Sequence, residues 1–338
     1  MLRCAQHDNT TAQHFLLPLI TLRLMQLWAL IVDSFRESLD RKIFWVLAAI
    51  TLLIVTALLS IGFDAHGISF LFGLWEVEVD HYNPVSVAGR SHIVGAILYS
   101  LTYAVLGWIG MILMIIATAG MFPRLLERGA VDLPLSKPLS RPRLFLYKYL
   151  SCMVFVFIQA TLFVGLVFLT MGLRWGVWAP GYLLSIPLLV LLFSYLFCVS
   201  VLVAVKTRSA AAAILLTLVA WFLFAAPSTI LQTFETFPAL KEHTRWHRAA
   251  RAAAWIPPKT ADIPYLAARW AGAGTSLDMF PDELTDSSDP DEQDQMERAR
   301  VLEERELEKD PVLSIGSSLI FEAVVVLLAM WSFAKRDY

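Results

Sequence analysis

Residues 182–205 read YLLSIPLLVLLFSYLFCVSVLVAV, 24 positions without one charged side chain. A helix needs about 20 predominantly apolar residues to cross the hydrocarbon core of a bilayer. This stretch meets that length without interruption and reads as a membrane span. Working outward, five more runs satisfy the same rule: Ile43–Gly62, Ile93–Phe122, Tyr149–Leu173, Ser209–Leu231 and Val312–Phe333. The run from Ile93 is 30 residues long, so it is expected to tilt or to continue beyond the bilayer. Composition agrees with six spans. Of 338 residues, 57% are hydrophobic and 17% charged, where soluble domains average about 45–50% and about 25%.

Charge placement orients the spans. Arg3, Arg23, Arg36, Arg41 and Lys42 precede the first run, and Arg124, Arg128, Lys137, Arg141, Arg143 and Lys148 fill the loop between the second and third. Lys206 with Arg208, and Lys335 with Arg336, fall on the same side, whereas the opposite short loops hold only Arg90 and Arg174. Lys/Arg-rich short loops stay cytoplasmic, so both termini are expected in the cytoplasm, with the chain integral to an inner or plasma membrane. The net charge of −2 gives no reason to expect a nucleic-acid partner.

The segment 232–311 is then an extracytoplasmic insertion. Residues 241–269 are basic and aromatic, suited to an amphipathic helix at the outer interface. Residues 278–310 carry fourteen acids against four bases and read as solvated or disordered chain. At the other end, Leu24, Leu27, Trp28, Ile31, Phe35 and Leu39 repeat at helical spacing opposite Asp33, Arg36, Glu37, Asp40 and Arg41. That pattern describes a helix lying flat on the cytoplasmic leaflet. Residues 1–24 are read as an extension or as a mis-called start ahead of Met25.

Catalytic signatures are missing from the sequence. No glycine is followed by lysine, so there is no phosphate-cradling loop and no ATP hydrolysis is expected of this chain itself. His243 and His247 stand four apart among arginines without a third ligand, so no metal site is assigned. Cys4, Cys152 and Cys198 form no metal-binding or disulfide pattern and are read as small hydrophobes. Glu322 is the one carboxylate within an apolar run. A charge there is costly, so it must face protein or water, or be protonated. A hydroxyl or amide on a neighbouring helix, such as Gln159, is the expected structural partner, and a contact to substrate or a gate is the functional alternative.

The loop LLERGAVDLPLSKPLSRPRLFLYKYL, 125–150, resembles the segment between the second and third helices of ABC-2-type exporter permeases, where an E-x-G-T/A…S-K-P-x-S-R…K string is typical. LWALIVDSFRESLDRKIFWVL, 27–47, resembles their N-terminal elbow helix running into the first span. The likeness covers roughly residues 25–230 and the last span, nearest to the multi-copper-enzyme-maturation-type permeases. It implies an all-α membrane protein with six transmembrane helices, a type V-like exporter fold spanning 25–338, and an interfacial elbow. It also implies partners: a separate ATP-binding subunit that carries ATP and magnesium, and a second permease subunit, the same chain or a different one. No cofactor is expected on this chain. Arg36, Glu37 and Arg41 of the elbow, with Glu127, Arg128, Asp132, Lys137 and Arg141 of the loop, would form the docking surface for the ATPase. Against this stands a non-transporting scaffold or assembly factor with the same helix plan. An intramembrane enzyme would need more convergent polar groups than Glu322 and Gln159, and a channel would need a polar stripe that no span shows.

Overall fold

The computed structural model describes Val32 and residues 42–64, 67–78, 87–126, 140–236, 257–260, 262–272 and 310–335. Among these residues, six helices are long and apolar enough to cross a membrane: Lys42–Leu59, Ile93–Leu125, Arg141–Trp175, Pro180–Thr207, Ala210–Pro227 and Pro311–Ala334. They are called spans one to six. Each apolar run of the sequence corresponds to one span, with ends displaced by a few residues.

The ends follow local chemistry. Arg208 takes a left-handed conformation (φ 55°) and closes span four through its N–H to Ala204 O, 2.9 Å. The Ser209 hydroxyl then accepts from the Ala212 N–H at 3.3 Å, so spans four and five join in a tight turn. Asp310 caps span six by accepting the Val312 N–H at 2.9 Å, with Pro311 at the first helical position, where its missing N–H costs nothing. Span two is continuous with the helix beginning at Val87, but residues Leu101–Gly110 in its middle are π-helical. That widened winding is uncommon and is often found at functional sites.

Span four is the core of the bundle. Of its apolar window 72% is buried, against 17% to 44% for the other five spans. It packs on spans two, three, five and six. A helix that is apolar all round is stable only when surrounded, and 182–205 has that character. Spans one, five and six keep broad apolar faces outward, among them Leu52, Leu53, Leu216, Phe222, Ile320 and Leu328. Apolar surface on this scale suits lipid rather than water.

Two features differ from the expectations drawn from the sequence. The connection after span one folds into a three-stranded antiparallel sheet of β1 (Gly62–Asp64), β2 (Gly67–Phe70) and β3 (Trp75–Glu78), in the order β1-β2-β3. The sequence there, GISFLFGLWEVE, contains Phe, Ile, Val and Trp that suit strands, but the segment is too short for the length rule to register. Within the insertion, Asp262–Gly272 is a helix that docks against spans two and four instead of lying free at the interface. Ile263, Leu266 and Ala267 are buried beneath it. Gly107 of span two admits this helix: a Cβ there would lie 3.3 Å from Pro264 Cγ. Apart from Val32, the interfacial elbow lies outside the described residues, as do residues 1–24 and most of 278–310.

Candidate functional site

Phe122 lies near the end of span two and Phe145 near the start of span three, on either side of the loop between them. Both are fully buried, with ring centroids 5.3 Å apart. Phe145 also meets Phe333 of span six at 5.7 Å, and Phe122 meets Phe197 of span four at 6.2 Å. Phe197 stacks on Phe193 at 5.0 Å and lies 5.3 Å from Tyr149. Six aromatic rings therefore join spans two, three, four and six into one cluster that runs from the basic ends of spans two, three and six into the middle of span four. Rigid rings packed at these separations transmit displacement with little slack.

The cluster leads directly to Glu322. Tyr149 Oη donates to Glu322 Oε1 at 2.9 Å, and Ser194 Oγ lies 2.8 Å from Oε2. Both carboxyl oxygens thus have hydroxyl partners, one from span three and one from span four. Ser194 Oγ is also 2.8 Å from Leu191 O, so its single proton serves either the carboxyl or the backbone. Gln159, the sequence-based choice of partner, is elsewhere. The partners are hydroxyls because Tyr149 and Ser194 face span six at the same depth, which one-dimensional spacing does not show.

Gln159 belongs to a second polar position. It lies in the wall of a cavity of about 60 Å³ between spans one, two and three, with Leu47, Thr51, Leu106, Gly110 and Phe163. Its Oε1 is buried without a hydrogen-bond partner, and the Thr51 hydroxyl in the same wall is turned to its own helix, donating to Leu47 O at 3.0 Å. The π-helical stretch supplies Leu106 and Gly110 to this wall.

At the far end, the 262–272 helix is tied to span six. Ser314 Oγ donates to Asp262 Oδ2 at 2.7 Å, and the Lys259 N–H donates to Ser318 Oγ at 3.0 Å. Ser185 and Thr260 bury hydroxyl oxygens without partners. Asp262, Ser314 and Ser318 were not singled out from the sequence. Asp262 followed by Pro264 is a helix-start signal, and Ser314 and Ser318 repeat at i and i+4, so a trace of both was present.

Of the eight docking candidates only Arg141 falls among the described residues. It starts span three, and its Nη1 reaches Ala334 O at 3.5 Å, at the C-terminal end of span six. A cation there complements the helix dipole and ties the loop's exit to the last span. Arg36, Glu37, Arg41, Glu127, Arg128, Asp132 and Lys137 lie outside the described residues. No protein-family model, curated protein or solved structure matches this chain. The functional reading therefore rests on the residues and their geometry.

Proposed function

We propose that this chain is the transmembrane permease subunit of an ATP-binding-cassette exporter, driven by a separate ATP-binding subunit and paired with a second permease subunit. The observation that carries the reading is the clamp of Phe122 and Phe145 across the loop 123–144, continued through Phe197, Phe333 and Tyr149 to Glu322. A motor that pushes on this loop moves the ends of spans two and three together, and through them spans four and six. The loop would dock the ATPase through Glu127, Arg128, Asp132, Lys137 and Arg141, with the elbow residues Arg36, Glu37 and Arg41 beside it. Charge pairs at such a surface mainly set register and choice of partner. Basic-loop placement puts both termini in the cytoplasm, in an inner or plasma membrane.

In this reading the chain performs no chemistry on nucleotide. ATP-driven closure is passed to the bundle, and cargo moves by alternating access. The cap formed by 262–272 would close the outer side, because it bridges spans two, four and six at the far end.

Affinity purification of the tagged chain from native membranes in mild detergent, with mass spectrometry and an ATPase assay, tests this. The expected result is co-purification of a nucleotide-binding subunit with ATPase activity, lost when Glu127→Lys and Arg128→Glu are combined while insertion stays normal. A clean preparation without such a partner or activity would replace the permease by the scaffold reading.

A further inference from the structure

The turn between β2 and β3 exposes an unbroken apolar surface. Phe70, Leu71, Phe72, Leu74 and Trp75 are 37% to 79% exposed. Leu71 and Phe72 hold φ of 51° and 59°, in the left-handed region that side chains disfavour, and Gly73 follows at 91°. A turn of this shape suits glycine or asparagine. Keeping Leu and Phe there presents large apolar groups despite the backbone strain, which is a reason to look for what they contact.

The position of the turn answers that. β1 leaves span one directly, β2 returns antiparallel to it with Gly62 opposite Ser69, and the turn comes back to the end of the span. There the Phe72 N–H donates to Ser60 O at 3.1 Å. The apolar run Ile43–Gly62, flanked by Lys42 and Asp64, has 20 residues, about 30 Å at 1.5 Å per residue, which only just crosses the hydrocarbon core. Ser60 therefore sits at the core's boundary, and a turn bonded to it sits at the same level. The base of the sheet is held down by the far end of span three: Trp175 Nε1 donates to Ile61 O at 3.2 Å, Arg174 Nε to Leu59 O at 3.3 Å, and Phe63 packs on the Trp175 ring at 5.6 Å.

We infer that the Phe70–Trp75 turn is a lipid anchor, inserted in the leaflet at the far end of the bundle, where its apolar side chains meet the acyl chains next to the headgroups. Trp75 takes the place that tryptophan prefers at a membrane boundary. The anchor pins the start of the first loop to the bilayer and so fixes the tilt of a minimal span. The inference needs only the membrane reading of the six helices, not coupling to an ATPase.

The test is nitroxide labelling of the full chain at Leu74→Cys and, separately, at Phe72→Cys, with Cys4, Cys152 and Cys198 replaced by alanine. The protein is reconstituted in vesicles of phosphatidylcholine and phosphatidylglycerol, and collisions are measured with oxygen, which concentrates in the bilayer, and with a water-soluble nickel chelate. Leu53→Cys, on the exposed face of span one, gives the lipid reference. The expected result is loss of nickel collisions with oxygen collisions retained, as at Leu53→Cys. Nickel access would place the turn in water and overturn the inference. Exclusion of both reagents would overturn it in favour of a protein cover, whether a second copy or another subunit. Two label sites keep the test readable if one variant fails to fold.

Discussion

Glu322 and Gln159 both stand near the middle of apolar helices, yet the bundle treats them in opposite ways. The costlier group, the carboxyl, receives a hydroxyl on each oxygen, from Tyr149 and Ser194. The cheaper amide is left with a buried, unpaired oxygen beside a cavity. Around Glu322 the helices are locked by packed rings, and around Gln159 the neighbouring helix is π-wound. The difference separates a joint that holds spans three, four and six together from a place where the packing between spans one, two and three is incomplete. If the chain is the proposed permease, the rigid joint would carry the push and the loose place would yield.

The largest break in this comparison should come from the rigid side. Phe145→Ala removes a fully buried ring that contacts Phe122, Tyr149 and Phe333, and is expected to lower stability by about 3–5 kcal/mol. Thermal unfolding in detergent, read by near-ultraviolet dichroism, checks it. A shift no larger than that of a lipid-facing control such as Leu53→Ala would show that the cluster is not rigid.

Next comes the joint itself. Tyr149→Phe combined with Ser194→Ala strips both partners from Glu322 and should cost roughly 2–4 kcal/mol, because a carboxyl is left unpaired inside the bundle. Adding Glu322→Met to that pair should recover most of the loss. If the triple variant is no more stable than the double, the damage lies in packing and the hydrogen bonds matter little.

On the loose side the sign reverses. Gln159→Leu replaces an unpaired amide by an apolar group of similar length and should raise stability by about 1 kcal/mol. A variant less stable than the parent would mean that Oε1 has a partner when the protein is in a bilayer.

The smallest effect is expected at Glu322→Gln, within about 0.5 kcal/mol. Tyr149 still donates to the amide oxygen, and Ser194 accepts from the amide nitrogen while giving its proton to Leu191 O, 2.8 Å away. The same residue type would then be satisfied at 322 and orphaned at 159. A large loss at 322 would show that the negative charge itself is needed there.

Much of the architecture was legible without coordinates. Six apolar runs became six spans, because backbone groups in lipid must be satisfied within a helix, and length plus hydropathy is then enough to find them. Ser209 and Asp310 were not read as caps from the sequence, although serine or aspartate ahead of an apolar run is a helix-start signal. Glu322 stood out because a carboxylate in an apolar run is conspicuous. Its partners were not legible, since Tyr149, Ser194 and Glu322 are separated by 45 and 128 positions and meet only because three helices cross at one depth. The apolar turn at 70–75 and the docking of 262–272 were missed for a related reason. Both are short, and their meaning lies in what they sit beside.

The sequence by itself determined that this chain carries six apolar runs long enough to cross a membrane, and how its charges divide among the segments between them. These properties are sums over contiguous residues, and bilayer thickness and charge act on such sums directly. Tertiary structure alone decided that span four is enclosed, that Glu322 is paired while Gln159 is not, and that the β2–β3 turn returns to the boundary of span one. Each of those depends on distances between residues far apart in the chain, which only the packing of one helix against another sets.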